Sequence, residues 1–213
     1  MDLFGWATAG VRNPDGVYGA DETQTAYYPW AYSTDNTVYG PSLGTLPALT
    51  SWMGQDCEPY CEWGRNSNLE TWLGEGWRTL SKEEWEYLLG SAEDRFYKAC
   101  VDGYNGLILF PDNYSVDYDI FDSSRINAPS ASFIYVDESI SSITEDGLVF
   151  LPACGLREGV EVSEVDSMGA YWSSTPAEDS EDAYALSFDG DGLTLERFGR
   201  GLGISVRLVR DVE

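Results

Sequence analysis

The sequence predicts an α+β domain built from short antiparallel strands, one clear helix and long ordered loops. Residues 183–189 (AYALSFD) and 204–209 (ISVRLV) alternate apolar and polar side chains, a pattern typical of strands with one buried face. One stretch, near residues 81–90, has helical spacing. No internal repeat, linker or low-complexity tract interrupts the 213 residues, so we expect a single domain over 1–213.

The N-terminal third carries few signals of regular structure. Residues 1–49 are rich in Gly, Pro, Tyr, Asn and Asp, with a turn signal at 13–16 (NPDG). We expect an irregular, packed region there, and a short helix over 67–73 is compatible with the sequence.

The helix near 81–90 has a capping box. The Ser81 hydroxyl can accept a hydrogen bond from the Glu84 amide while the Glu84 carboxylate accepts one from the Ser81 amide. Trp85, Leu88 and Leu89 follow at i, i+3 and i+4 and form one apolar stripe. We interpret the stripe as core.

Further elements follow from apolar runs and turn residues. Residues 106–110 and 148–153 are short apolar runs typical of buried strands, and 139–145 fit a short helix. Residues 155–166 are interpreted as an acidic connector, and 189–203 as a turn-and-loop region between the two terminal strands.

The charge of the chain excludes several classes of function. Asp and Glu number 37 against 12 Lys and Arg, for a formal net charge of −25. Such a surface repels phosphate backbones and anionic lipids. We therefore expect no nucleic-acid partner and no membrane-surface role. A role in solubility explains the negative charge most simply. A more specific alternative is that the acidic surface binds divalent cations or a basic partner.

The chain contains no histidine. This removes the commonest general base, the Ser-His and Cys-His nucleophile pairs and the commonest metal ligand. Paired carboxylates could still serve as acid and base, but no spacing singles out a pair. We expect no catalytic residue.

Four cysteines allow several states. Cys57 and Cys61 flank a turn-like tripeptide, so a local disulfide and two reduced thiols are both allowed. Cys100 and Cys154 adjoin apolar runs and are expected to be small buried side chains. Only one pair has spacing close to that of zinc ligands, which argues against a four-cysteine zinc site.

Metal and phosphate motifs are weak. Asp117, Asp119 and Asp122 alternate as calcium ligands can, but the central Gly and terminal Glu of an EF-hand loop are missing. Residues 189–192 (DGDG) are explained by a tight turn, and the glycines of 199–203 lack the Lys-Ser/Thr of a phosphate loop. We expect no cofactor and no metal.

The sequence shows no membrane segment. No stretch approaches the ~20 apolar residues of a membrane helix, so we expect no membrane insertion. The first residues are acidic and no apolar signal-peptide core follows them.

Several blocks, in order along the chain, carry a family resemblance. They are LFGWAT (3–8), YGP (39–41), WRTLSKEEW (77–85), NGLILFPD (105–112), VFLPA (149–153) and GAYWSST (169–175), followed by the closing SVRLVR (205–210). Together they resemble the C-type-lectin-like domains of gut-bacterial and phage surface proteins, a group that includes the variable proteins of diversity-generating retroelements. More distantly, the group resembles the formylglycine-generating enzyme fold.

The resemblance implies a C-type-lectin-like fold whose terminal hairpin, about residues 169–210, displays a binding surface. The thiol chemistry of formylglycine-generating enzymes is not implied, because no cysteine follows Cys154. The sugar-binding motifs of calcium-dependent lectins are also missing. In diversified relatives, adenines in the DNA that encodes the hairpin are replaced during copying, so that an Asn codon can become a codon for many other residues. Glu cannot be reached from an Asn codon by changing only its adenines, so Glu178, Glu181 and Glu196 depart from that pattern.

The resemblance also implies which side chains are exposed. Tyr184, Leu186, Phe188 and Trp172, with residues 205–210, would form the frame. The exposed, changeable ligand-binding set would be Ala170, Asp179, Ser180, Asp182, Ala185, Ser187, Asp189, Asp191, Arg197, Phe198, Gly201, Leu202 and Ile204. Phe198, flanked by Arg197 and Arg200, would be the energetic hot spot.

We therefore expect a non-enzymatic receptor-binding or adhesion domain on a phage tail or a bacterial cell surface. Its partner would be a protein or glycan receptor, and homo-oligomerisation is compatible with this role. Two alternatives stay open. One is a structural or assembly protein that uses its acidic face, and the other is a carboxylate-dependent enzyme, which requires a deep pocket holding two acids.

Overall fold

The computed structural model describes residues 74–90, 94–112, 114–158, 161–177, 182–199 and 202–211. The predictions on the turn at 13–16, the helix at 67–73 and the Cys57 and Cys61 pair lie outside these residues.

The described part of the chain is an α+β structure of eleven short strands and two α-helices. The helices are α1 (Lys82–Leu88) and α2 (Ile140–Glu145), and a 3₁₀ turn spans Ser123–Arg125. The strands are β1 (Arg78–Thr79), β2 (Phe96–Val101), β3 (Tyr104–Leu109), β4 (Ile134–Tyr135), β5 (Val149–Pro152), β6 (Leu156–Glu158), β7 (Glu161–Ser163), β8 (Gly169–Pro176), β9 (Asp182–Phe188), β10 (Leu193–Gly199) and β11 (Leu208–Val209). Among the described residues, no helix is long and apolar enough to cross a membrane.

Four sheets organise these strands. A four-stranded sheet has the order β4-β2-β3-β5, with β2 and β4 parallel and the other pairs antiparallel. A three-stranded antiparallel sheet has the order β10-β9-β8. Two-stranded ribbons are formed by β1 with β11 and by β6 with β7.

Helix α1 confirms the predicted capping box. The Glu84 amide donates to the Ser81 hydroxyl at 3.2 Å, and the Ser81 amide donates to the Glu84 carboxylate at 2.7 Å. Trp85 is fully buried, and Leu88 and Leu89 pack against the same core. Large aromatic side chains bury about 150–250 Å² each, so this helix is held mainly by Trp85.

The central core lies between α1, the four-stranded sheet and one face of the three-stranded sheet. It joins Trp85 to Leu107, Leu151, Leu186 and Phe188. The predicted buried strands around 106–110 and 148–153 are confirmed as β3 and β5, and the helix predicted at 139–145 is confirmed as α2, with Ser139 as its N-cap.

The second face of the four-stranded sheet covers another core. Tyr97, Ile108, Phe110 and Phe121 pack there with residues of α2. The rings of Tyr97 and Phe110 each meet Phe121 edge-on, with centroids 5.2 Å apart, a geometry that aromatic pairs prefer.

Three predictions of local structure were wrong. Residues 155–166 contain the hairpin β6–β7, and residues 189–203 contain the seven-residue strand β10. The strand expected over 204–209 is divided into bridges at 203–205 and the short strand β11. The segment 203–209 pairs with residues far away in sequence, which a local pattern does not reveal. The hairpins β6–β7 and β9–β10 are local, but their acidic and Gly-rich residues favour a connector and a loop when the sequence is read alone.

The cysteines also differ from expectation. Cys100 and Cys154 are half-buried rather than fully buried. Cys100 lies in β2, and Cys154 follows the end of β5.

Candidate functional site

The three-stranded sheet has two covered faces. On its inner face, Tyr171, Leu186 and Phe188 join the central core. On its outer face, Ala170, Trp172 and Ala185 form a separate core with Ile204. The sheet is therefore a buried layer rather than a frame with one free side.

The segment 202–206 runs along the edge of β8 and contributes Ile204 to the core on the outer face. The Ser205 amide donates to the Ala170 carbonyl at 2.9 Å, and the Trp172 amide donates to the Ser205 carbonyl at 3.0 Å. These bonds lay the segment along the outer edge of β8. Ile204 reaches the sheet from there and is completely buried.

Four residues of the predicted ligand-binding set are consequently not exposed. Ala170, Ala185 and Ile204 have no exposed surface, and Ser187 is 7% exposed. The family resemblance implies a solvent-facing side for these residues. The returning segment and the packing of Trp172 cover that side as well, so these four are corrected to core.

Of the remaining predicted residues, six lie in the described part of the chain. Asp189, Asp191 and Arg197 are exposed, and Asp182, Phe198 and Leu202 are half-buried. Asp179, Ser180 and Gly201 lie outside the described residues.

Within the three-stranded sheet and its turns, the exposed side chains concentrate on β10 and on the turn that precedes it. Within the described residues, β10 pairs only with β9, in continuous register from Leu193 opposite Phe188 to Gly199 opposite Asp182. In the described part of the chain, its other edge has no strand partner. We call the exposed side chains of this strand and turn the β10 surface: Asp189, Asp191, Thr194, Glu196 and Arg197.

Two members of the β10 surface, Thr194 and Glu196, were missing from the predicted set. They stand opposite Ser187 and Ala185 in the register. The alternation of Leu193 and Leu195 with Thr194 and Glu196 was a period-2 signal that could have found them, but the surrounding Gly and Asp residues favoured a loop.

The two sides of this edge differ in charge. Side chains of a strand alternate between its faces, so Thr194 and Glu196 project to one side and Arg197 to the other. Arg197 lies opposite Tyr184, whose ring centroid is 4.9 Å from the Lys82 ammonium. The edge thus presents an acidic flank and a basic flank.

Phe198 is a structural residue as well as a surface one. Its ring meets Trp172 edge-on, with centroids 6.4 Å apart and an angle of 88° between the planes. It packs against the outer core with Met168 and Val206. The predicted hot spot is therefore partly committed to holding β10 in place.

The turn between β9 and β10 is tightly built, as the sequence predicted. The Asp189 carboxylate accepts from the amides of Asp191 at 2.8 Å and Gly192 at 2.7 Å, and the Asp189 amide donates to the Gly192 carbonyl at 3.1 Å. Asp117 and Asp122, weighed earlier as calcium ligands, cap their own turns in the same manner.

A buried lysine fixes this turn to the four-stranded sheet. Lys98 is 2% exposed, and its ammonium donates to the carbonyls of Pro129 at 2.8 Å, of Gly192 at 3.4 Å and of Asp189. Burial lowers the pKa of Lys98, and the nearby carboxylates of Asp189 and Asp191 oppose that shift. A side chain of strand β2, distant in sequence, therefore holds this turn in place.

Comparison of the chain with protein-family models, with curated proteins and with solved structures found no match.

Proposed function

We propose that this domain is a non-enzymatic binding module that recognises a protein or glycan receptor through the β10 surface. The α+β architecture, with its early helix and terminal sheet, is consistent with the C-type-lectin-like fold that the sequence resembles. By the same resemblance, we place the domain on a phage tail or a bacterial cell surface.

The observation that carries the proposal is a row of exposed side chains on a strand that is held along one edge and at both ends. β10 is paired along its whole length with β9, its turn is held by Lys98, and Phe198 anchors its far end. A surface that is already ordered loses little conformational entropy on binding. Exposed side chains on a rigid frame suit recognition.

The charges of the β10 surface narrow the partner. Asp189, Asp191 and Glu196 make it predominantly acidic, and Arg197 adds one cation on the opposite flank. Complementary charge contributes to specificity and to the rate of association. We propose a partner whose contact face is mainly basic, with an acidic group placed to meet Arg197.

If the surface is diversified, the positions free to vary are the exposed ones. Side-chain variation at Ala170 or Ala185 would have to fit inside a packed core, whereas variation at Thr194 or Asp191 would not. A near-copy of the coding region for residues 170–204 beside a reverse transcriptase, differing only at adenines, would establish diversification.

Binding can be tested with the whole chain, fluorescently labelled and titrated on a panel of gut-bacterial cells by flow cytometry. The test variant combines Thr194→Ala, Glu196→Ala and Arg197→Ala. The matched control combines Tyr135→Ala and Asp137→Ala, two exposed residues at β4 whose side chains bond only weakly to each other, at 3.2 Å. We expect saturable binding that weakens at least tenfold in the test variant and is unchanged in the control.

Two results would contradict the proposal. One is binding that survives the triple replacement on β10 but is lost in the β4 control. The other is that no strain of the panel binds the protein saturably.

The acidic character of the β10 surface also favours a second candidate, assembly onto a basic neighbouring protein of the same particle. Pairing of exposed charges weakens steeply with salt. Assembly would be supported over receptor recognition by two results together. The affinity would fall steeply as salt is added, and other basic proteins would bind the domain as well as the natural partner does.

A further inference from the structure

A cavity of about 510 Å³ lies beside helix α1, between the β1–β11 ribbon, the end of β3 and the start of β5. Its volume falls in the range of small-molecule sites, which are about 300–1,000 Å³ and mainly apolar. Such a cavity suits an occupant with an apolar body. Its apolar lining includes Trp77, Leu80, Trp85, Leu88, Leu109 and Val149.

The charge of the cavity lining is opposite to that of the chain. Two of the residues that line the cavity, Arg207 and Arg210, are cations, and none of the described lining residues is Asp or Glu. The whole chain has 37 acidic residues against 12 basic ones, so a lining with two cations and no acid departs from the average surface. Clefts lined by one sign of charge concentrate ligands of the other sign. The lining therefore favours an anion.

Both arginines are exposed, and neither forms an ion pair within the part of the chain that the structure describes. Asp211 follows Arg210 directly, but its carboxylate pairs with Arg78 instead, at 3.2 Å. Lys82, on the neighbouring helix, is also paired, with a carboxylate at 2.8 Å. A guanidinium has five donors in a planar fork that matches a carboxylate. Arg207 and Arg210 can therefore donate to an anionic ligand.

The side chain of Arg210 is held in place by two contacts. Its Cζ lies 5.4 Å from the centroid of the Trp77 ring, within the roughly 6 Å typical of cation–π contacts. Its stem passes over Gly76, where an added Cβ would lie 3.5 Å from the Arg210 Cγ. A side chain that is already restricted loses less conformational entropy when it binds a ligand. Arg210 is therefore partly arranged for binding before a ligand arrives.

We propose that this cavity binds a small organic monocarboxylate with an apolar body. The body lies against the apolar lining, and Arg207 and Arg210 donate to the carboxylate. The net charge of −25 repels every anion and repels a phosphate dianion more strongly than a carboxylate, which favours the single charge. No residue of the β10 surface lines the cavity, so this site does not depend on the function proposed for that surface.

The test uses phenylbutanoate as the probe and phenylbutanol as its uncharged counterpart, each titrated into the whole chain by calorimetry. We expect phenylbutanoate to bind saturably at one site and phenylbutanol to bind at least about tenfold more weakly, because a hydrogen bond to a charged group contributes that factor or more. Acetate has the charge without the apolar body and should bind much more weakly than phenylbutanoate. Equal affinity for the acid and the alcohol, or no saturable binding of phenylbutanoate, would overturn the proposal.

Replacement of the two arginines locates the anion. Arg207→Met and Arg210→Met each remove a charge and keep an unbranched apolar stem, and both positions are exposed, so the variants should fold. Each should lower the affinity for phenylbutanoate about tenfold, and the double variant should lower it further. Arg125→Met is the matched control, because it removes the same charge from the 3₁₀ turn and does not line the cavity. Full affinity in the double variant, or an equal loss in the control, would contradict the site.

A replacement on the opposite wall tests the site without changing either arginine. Pro111 lines the cavity and is exposed, so Pro111→Glu adds a carboxylate there without disturbing the core. It should lower the affinity for phenylbutanoate at least about tenfold by repulsion and by competition for the arginines, and it should change that for phenylbutanol much less. Pro111→Gln is the neutral control and should bind phenylbutanoate nearly as well as the parent. Equal affinities of the Glu and Gln variants for phenylbutanoate would place the anion elsewhere and refute the proposal.

Discussion

Phe198 meets Trp172 edge-to-face across the outer side of the terminal sheet, with ring centroids 6.4 Å apart and planes at 88°. The contact joins the strand that carries the β10 surface to a fully covered tryptophan of β8. The proposed binding surface and the outer core therefore share a side chain at this point.

Phe198→Ala should lower the free energy of unfolding by about 2 kcal/mol, roughly half the cost at a fully buried phenylalanine. The neighbouring Arg197→Ala should change it by no more than about 0.5 kcal/mol, because its side chain is exposed. Urea denaturation of the two variants measures both. Equal stability of both variants would show that Phe198 contributes nothing to the outer core.

The register pairs a buried residue of β9 with an exposed one of β10, which gives a matched comparison. Ala185→Asn introduces a larger, polar side chain into the outer core and should cost more than about 2 kcal/mol through overpacking and an unsatisfied amide. Glu196→Asn, directly opposite, should lie within about 0.5 kcal/mol of the parent. Thermal unfolding checks the pair, and an Ala185→Asn variant as stable as the parent would restore Ala185 to the exposed set.

Glu84 links the N-terminus of α1 to β1. Its carboxylate accepts from Arg78 at 2.7 and 2.8 Å, and this contact lowers the pKa of Glu84. A lowered pKa stabilises the fold above the ordinary Glu value of about 4.3, and the contribution disappears as pH falls through the folded value. Both side chains are about one-third exposed, which limits the contribution to about 1 kcal/mol or less.

Glu84→Gln isolates that charge because glutamine can still complete the capping box. The variant should be less stable than the parent at neutral pH and equally stable about two pH units below the ordinary Glu pKa. In an Arg78→Met background the same replacement should have little pH dependence. A stability gap that persists undiminished in acid would contradict the assignment, and denaturant titrations across pH provide the measurement.

Lys98→Met should loosen the turn before β10. Its ammonium bonds three carbonyls, so the replacement leaves buried acceptors unsatisfied and should cost about 1–3 kcal/mol. Amide hydrogen exchange at Asp191 and Gly192 should accelerate. Lys82→Met serves as the control, because the side chain of Lys82 is 28% exposed. If amide exchange is unchanged in the Lys98 variant, the turn does not depend on Lys98.

The pH dependence of Lys98 has the same sign as that of Glu84 but falls in the alkaline range. Burial lowers the pKa of Lys98, so the unfolded chain binds the proton more tightly than the folded one. Stability relative to Lys98→Met should rise as pH increases from the lowered value towards the ordinary lysine value of about 10.4. A relative stability that falls over this window would contradict the burial effect.

Local signals predicted the parts of the fold that depend on neighbouring residues. The capping box around Ser81 and Glu84 needs only four residues, and the apolar runs of β3 and β5 identify buried strands by composition alone. Strand β2 was missed because Lys98, which lies at its centre, reads as a solvent-facing residue, and only the distant turn carbonyls explain its burial.

Which residues of the terminal hairpin are exposed was predicted only in part. Alternation along 183–189 separates two sides of β9, yet it does not reveal that the second side is covered. That cover is formed by Ser205 bonding to β8, a contact between residues more than thirty positions apart in sequence. For the same reason, Ala170 and Ile204 were assigned to the surface, whereas Arg197 and Asp191 were placed correctly.

The row of exposed side chains on β10 sets the size of any binding footprint. Seven residues of strand extend over roughly 23 Å, and a ribbon one strand wide offers far less area than the ~800 Å² per partner of a stable complex. Under the proposed function, a single copy should therefore hold its partner only briefly. Durable attachment would then require several copies displayed side by side, so that many weak contacts act together.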